Sequence, residues 1–374
     1  MKEEKHDVIV IGAGPAGCAA AKILSENGAK VLLLDKFGFN KEKGCGGGLT
    51  PKAVRLLKKI FPVIQLKANP VKKLELHYGF EGHSKKVCGM LFNRPLFHVI
   101  SRSTLDRDLL KVTAESSVSF RKERVRFIRK TGELFVVETD NQSYRAEYVI
   151  IAAGVFGSRL LTDTIKQRYS NIVHYKAPKL SNAVSLIFFE NGYAWYFPGL
   201  EEASIGSGVY VEGNPSFYIS KENLSITPYK IPENEEYHVT PIPDFSVEFA
   251  YEVNEFMEGC LVIGDSAGLV DSWTGEGISY ALYSGMLAAR AVMKYRKSKL
   301  NKNYLRELRP LMENLVMATG LRNSFLRNFP EKIQLVKDKR FARLFFTYVS
   351  CFSKSVLGLA LKSYLIPGHK VRID

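Results

Sequence analysis

At 374 residues and 42.1 kDa, with 46% hydrophobic and 24% charged residues, the chain has the composition of a soluble globular protein of one large or two intimate domains. That balance excludes a disordered tail, a small disulfide scaffold and a polytopic membrane protein. The formal charge of +15 is concentrated at one end, because residues 290 to 374 hold 19 of the 53 Lys and Arg but 5 of the 38 Asp and Glu. A basic stripe of that kind suits anionic lipid headgroups, nucleic acid or a polyanionic substrate, and equally a solvated face.

The N-terminus is charged and leads into Asp7-Val8-Ile9-Val10-Ile11-Gly12, a short β-branched run that reads as a doubly buried parallel strand. It lacks the apolar core of a signal peptide, and the five cysteines, at 18, 45, 88, 260 and 351, form no CxxC pair. The expectation is a reducing, cytoplasmic setting and no metal centre. A helix is predicted from about Pro15 to Asn27, stopped by Gly28, followed by a strand from Lys30 to Leu34 that ends at Asp35. Further strands of the same kind are predicted at Tyr148 to Ala152 and Cys260 to Ile263. The stretches between, roughly 70 to 100 and 165 to 250, alternate apolar and polar residues, as in Lys73-Leu74-Glu75-Leu76-His77-Tyr78 and Val184-Ser185-Leu186-Ile187-Phe188-Phe189, and predict a second, largely antiparallel sheet. Beyond residue 276 the periodicity is helical.

Gly12-Ala13-Gly14-Pro15-Ala16-Gly17 fits G-x-G-x-x-G between a strand and a helix. Its glycines allow a tight turn, backbone contact with a pyrophosphate and close packing of helix on strand, while the helix N-terminus supplies N–H groups and dipole to the anion. Asp35, eighteen residues after Gly17 and followed by Lys36, is placed to accept ribose hydroxyls. A dinucleotide site follows. No second such glycine pattern follows a strand, so no dedicated nicotinamide-binding domain is expected.

Residues 260 to 280, an apolar strand ending in Gly264-Asp265 and a glycine-rich run that opens a helix at Ile278, resemble the second flavin-binding segment of FAD-dependent oxidoreductases of the aromatic-hydroxylase class. In that class the residue matching Asp265 holds the ribityl chain, and the helix start matching Gly277-Ile278 faces the N1–C2=O edge of the isoalloxazine, with Gly275 in the same run. A positive helix end there stabilises the charge of the reduced flavin. Arg102-Ser103-Thr104-Leu105-Asp106 resembles the R-x-x-[FL]-D segment of the class, and Ala152-Ala153-Gly154 its A-x-G turn. For Arg102 an ordinary surface helix arginine is the competing reading.

Two more motifs narrow the class. Lys43-Gly44-Cys45-Gly46-Gly47-Gly48-Leu49 resembles the C-G-G segment of the geranylgeranyl reductase family, and Tyr193-Ala194-Trp195-Tyr196-Phe197-Pro198 its Y-x-W-x-F-P strand. The resemblance covers residues 5 to about 290. It implies an α/β fold: a discontinuous Rossmann-like FAD-binding domain (1–70, 101–165, 251–290), an inserted mainly antiparallel substrate domain (71–100, 166–250) and a basic helical C-terminal region (291–374). It implies FAD as cofactor, NAD(P)H or another reductant as transient electron donor, and saturation of isoprenoid double bonds on a lipid, quinone or chlorophyll-type precursor. The flavin would pass hydrogen to one alkene carbon while an acid or water protonates the other, with Cys45 and Tyr193 as candidate acids. Cys45 and Gly46 would lie near the flavin, and Gly47, Tyr193, Trp195 and Phe197 near the substrate.

From the residues alone, Tyr193, Trp195 and Phe197 alternate and so share a strand face, as a wall for a polyprenyl chain or as ordinary core. Cys45 is either a reactive thiol or a small filler in a glycine turn. The tail from 341 to 366 has only Arg343, Lys354 and Lys362 as charges. These interruptions make it a poor membrane span. It fits a helix lying on an anionic membrane at the inner face of the cell membrane, or one closing the substrate cavity. An FAD-dependent aromatic monooxygenase or halogenase is the rival reading. A nucleic-acid-binding flavoprotein ranks last, for want of any binding module.

Overall fold

A computed structural model describes residues 5–40, 43–80, 83–189, 192–209, 238–295, 297–327 and 340. The protein is an α/β structure in which one largely parallel sheet carries the helices and a second, mainly antiparallel sheet stands beside it. In the first sheet, Ser119–Arg121, Val31–Leu34, Lys5–Ile11 and Ser143–Ile151 run parallel in that order. Val8, Ile9 and Val10 are wholly buried, as a strand covered on both faces requires. The long strand Ser143–Ile151 is shared. Its first half pairs with the hairpin Val125–Thr131 and Leu134–Thr139, and its last three residues pair in parallel with Cys260–Val262.

Among the described residues the α-helices are α1 (Pro15–Glu26), α2 (Pro51–Ile60), α3 (Arg102–Ala114), α4 (Val247–Glu255), α5 (Ile278–Lys294) and α6 (Leu300–Arg327). The two that open the glycine segments, α1 and α5, touch through small residues. A Cβ on Gly285 of α5 would strike the carbonyl oxygen of Ala16, and one on Gly264 would come within 3.0 Å of the Ala16 methyl. This contact brings two segments far apart in sequence to one place. Two buried asparagines fix the strand between them: Asn254 Nδ2 donates to Ala250 O and Val262 O, and Asn301 Nδ2 donates to Asn254 O and Cys260 O. An asparagine amide satisfies strand-end carbonyls that burial would otherwise leave without a partner.

The second sheet runs His238–Pro243, Tyr169–Pro178, Glu202–Val209, Gly192–Pro198, Ala183–Phe189, Lys73–Phe80 and His83–Leu91. All neighbours are antiparallel except Ala183–Phe189 with Lys73–Phe80, the point where the two inserted stretches join. A small third sheet of Gly48–Leu49, Phe97–Val99 and Asn69–Val71, which the alternation did not suggest, connects the two larger ones. The boundary expected at residue 250 falls inside α4, whose Ser246 cap accepts the Phe249 N–H. Beyond residue 276, α5 and α6 bear out the helical periodicity as far as Arg327, whereas the 341–366 segment and Cys351 lie outside the described residues. Among the described residues no helix is long and apolar enough to cross a membrane.

Candidate flavin and substrate site

One cavity of about 660 Å³, of a size typical for ligand pockets, runs from the first glycine loop to the inner face of the antiparallel sheet. Gly12, Gly14, Pro15, Ala16, Asp35, Lys36, Cys45, Gly46, Gly47, Arg102, Ala153, Gly154, Asp265, Gly275, Gly277, Ile278, Tyr193, Trp195 and Phe197 all line it. Of the residues singled out from sequence, Gly17 alone stands back. A Cβ there would fall on the Gly12 carbonyl, so its place is structural, in the packing of α1 on the strand. Gly12 has φ +103°, and a side chain on it would meet the backbone of Ala152. The N-terminus of α1 has no side-chain cap and no acidic residue in its first turn, which keeps its positive end available to an anion.

Asp35 is 5% exposed and already engaged. Its Oδ2 accepts the Ala13 N–H at 2.8 Å, and its Oδ1 accepts those of Phe37 and Gly38 at 2.8 and 2.9 Å. One carboxylate thus ties the end of the second strand to the glycine loop. The same carboxylate borders the cavity beside the glycine loop. Arg102 is not a surface residue. At 9% exposure it forms a bidentate pair with Asp106, Nε to Oδ1 at 3.0 Å and Nη2 to Oδ2 at 2.9 Å. Burial alone would weaken its hold on the proton, but the Asp106 carboxylate, aided by Cys45 and Asp265, moves the guanidinium above its ordinary value.

At the far end Asp265 lies on a short 3-10 turn, Gly264–Ala267, and its Oδ2 pairs with Lys43 Nζ at 2.5 Å. The cap of α5 is Gly277. Just before it, Glu276 turns its carboxylate onto Ser279, accepting the backbone N–H on Oε1 and the hydroxyl on Oε2, and pairs with the buried ammonium of Lys52 at 2.6 Å. Asp271 is also buried, with Oδ1 accepting the Trp273 and Thr274 N–H groups at 2.9 Å. Loss of water raises its pKa, a shift that Lys52 opposes. Sequence reading passed over Lys52, Asp271 and Glu276. The acidic pair flanking Gly275 was the available signal, but its partner Lys52 lies on another helix.

The glycine strap from Gly44 to Gly48 is pressed between the sheets. A Cβ on Gly46 would come within 2.8 Å of the Phe197 ring and 3.2 Å of Trp195 Nε1, and one on Gly48 would run into Phe197. Cys45 is half-buried, its Sγ accepting the Gly47 N–H at 3.4 Å and its carbonyl accepting the Ser204 hydroxyl at 3.1 Å. Tyr193, Trp195 and Phe197 do share a face. The Tyr193 and Trp195 rings lie 5.8 Å apart, and Phe197 packs edge-on against Phe97 at 5.3 Å. Core and cavity wall coincide here, because the buried Trp195 belongs to the sheet's apolar cluster while its ring also borders the cavity. Leu186, Phe188, Ile172, Ile242 and Trp273 extend the wall. Across from Trp195 and Tyr193 stand Gly206 and Gly208, and a side chain on Gly206 would collide with the indole. The Tyr193 hydroxyl donates to Thr274 O at 2.7 Å; burial first, then the nearness of Asp271 and Cys45, raise its pKa well above the ordinary phenol.

Two glycine-marked helix starts facing one elongated cavity, beneath an antiparallel sheet, define an FAD-dependent oxidoreductase. The family profile described as pyridine nucleotide-disulphide oxidoreductase matches residues 6–183. A protein of uncharacterised function from Methanosarcina barkeri is 30% identical over 361 residues, spanning 89% of this chain and 87% of its own length. Digeranylgeranylglycerophospholipid reductase 3 of Methanosphaera stadtmanae is 28% identical over 338 residues, spanning 82% and 81%. Among solved structures, a geranylgeranyl bacteriochlorophyll reductase-like protein of Thermoplasma acidophilum superposes with a TM-score of 0.66 at 20% identity, covering 96% of each chain. A flavin-dependent brominase gives 0.71 at 17% identity, covering 96% of this chain and 99% of its own, a likeness of fold. This chain belongs to the geranylgeranyl reductase family of FAD-dependent flavoproteins.

Proposed function

We propose that the protein saturates carbon–carbon double bonds of a geranylgeranyl chain carried on a lipid, quinone or chlorophyll-type precursor. The observation that carries this reading is the continuity of the cavity: the wall of Leu186, Phe188, Tyr193, Trp195 and Phe197 borders the same space as Asp265 and Gly277. Such a wall suits an isoprenoid, since each buried methylene contributes about 0.8 kcal/mol without calling for a polar partner. The names of relatives such as the Methanosphaera stadtmanae reductase support it.

The donor set fits FAD. Gly12, Gly14 and the uncapped start of α1 would take the pyrophosphate, Asp35 the adenosine ribose, with Lys36 beside it, and Ala153, Gly154 and Arg102 the middle of the cofactor. Asp265 would take the ribityl hydroxyls, and Gly275, Gly277 and Ile278 the ring edge. When bound, FAD supplies the two-electron reductant, recharged by NAD(P)H or another transient donor. The protein's own contribution is alignment and a proton. An unactivated alkene is a poor acceptor, so the fixed wall formed by Trp195 and Phe197 on the packed strap matters more than any single acid. Cys45 and Tyr193 are the proposed proton donors; both border the cavity. Docking of the basic C-terminal region on an anionic membrane would bring such a substrate within reach.

Anaerobic mixing of the photoreduced protein with a geranylgeranyl lipid tests the reading. Reoxidation of the flavin with a product two mass units heavier per turnover is expected. A product formed only with oxygen would refute it in favour of a monooxygenase or halogenase.

A further inference from the structure

Lys52 is a cation held almost out of water. It follows the glycine strap and the Thr50 cap at the start of α2, is 4% exposed, and places Nζ 2.6 Å from Glu276 Oε2, 3.4 Å from the Tyr280 hydroxyl and 4.4 Å above the centre of that ring. A buried ion pair is a poor device for stability, because the desolvation of both charges offsets their attraction. Its location points to another use. Glu276 borders the cavity between Gly275 and Gly277, at the very end where α5 begins. A lone carboxylate there would oppose the positive potential of the helix start. Lys52 does not border the cavity; it approaches Glu276 from behind and cancels that charge.

We propose that Lys52 is a positioning residue for the flavin. By neutralising Glu276 and fixing the loop from Asp271 to Gly277, it leaves the start of α5 net positive and so favours the reduced, anionic ring over the oxidised one. The inference rests on the flavin reading of this cavity.

The test is the midpoint potential of the reconstituted holoprotein, with the affinity for oxidised FAD measured alongside. Lys52→Met should weaken binding of reduced relative to oxidised flavin at least tenfold, which for a two-electron couple lowers the potential by about 30 mV. Glu276→Gln should shift it upward, Lys52→Met with Glu276→Gln should return it to the parent value, and Lys52→Arg should leave it in place. A merely structural pair would weaken flavin binding in both redox states alike. An unchanged potential in Lys52→Met, or an equal shift in the single and double variants, overturns the proposal. Should Lys52→Met not fold, an unmoved potential in Glu276→Gln overturns it equally. A parent protein that takes up no flavin overturns the cofactor reading itself, a result distinguishable from either.

Discussion

Replacement of Arg102 by Leu separates what the arginine does for the fold from what it does for the cofactor. Its guanidinium and the Asp106 carboxylate are 8% and 2% exposed and share two hydrogen bonds, so the single variant strands a carboxylate in a nearly dry site. Breaking such a pair from one side costs about 3–5 kcal/mol, against a median below about 1 kcal/mol for a surface pair. At about 2 °C per kcal/mol for a chain of this length, melting should fall by roughly 6–10 °C. Substituting both residues, Arg102→Leu with Asp106→Leu, removes the stranded charge and should restore stability to within about 1 kcal/mol. Flavin affinity should not follow. If Arg102 also donates to the bound cofactor, one charge-assisted hydrogen bond of about 1.5–3 kcal/mol is lost in both variants, a 10- to 150-fold rise in Kd by approximate conversion. Urea unfolding of the apoprotein and fluorescence titration with FAD report the two effects separately. A double variant that unfolds as early as the single would refute the pair as the source of the cost. One that recovers flavin affinity as well would remove Arg102 from the cofactor site.

Gly48→Ala should distort the aromatic wall, because its methyl runs into the Phe197 ring, and Phe197→Leu in the same protein should restore melting temperature; no rescue means the strap is not clamped by that ring. His174, buried beside His238, has its pKa lowered to about 4 by loss of water and by the neighbouring imidazole. The unfolded chain therefore binds the proton first, so stability present above pH 6.5 should be lost progressively towards pH 4, and His174→Phe should flatten that limb of a stability-against-pH curve. Tyr193→Phe deletes the bond to Thr274 O and should cost about 1 kcal/mol of stability. If Tyr193 or Cys45 is the acid, Tyr193→Phe or Cys45→Ser should slow single-turnover alkene reduction by about 10²–10⁴. Less than a tenfold change in both would assign the proton to neither.

Several parts of this protein were legible in the chain because the chemistry that encodes them is local. A β-branched run, a glycine turn and an alanine-rich helix specify the first strand–helix unit within 26 residues, since steric and packing demands act between neighbours there. The same holds for Gly264-Asp265 before α5, and the two-residue alternation placed Tyr193, Trp195 and Phe197 on one face.

Only tertiary structure decided what these pieces do to one another. Lys43 meets Asp265 from 222 positions away, and Lys52 is set on Glu276 by the packing of α2 near α5. For Arg102 the motif resemblance left a helix-surface arginine open as the competing reading until the fold closed over it, and Asp35 shows its second task only when the glycine loop folds back onto its carboxylate. The reason is physical. Burial and charge pairing depend on which surfaces meet, and a one-dimensional pattern specifies each element's own apolar face but not the polar groups that another element will bring against it.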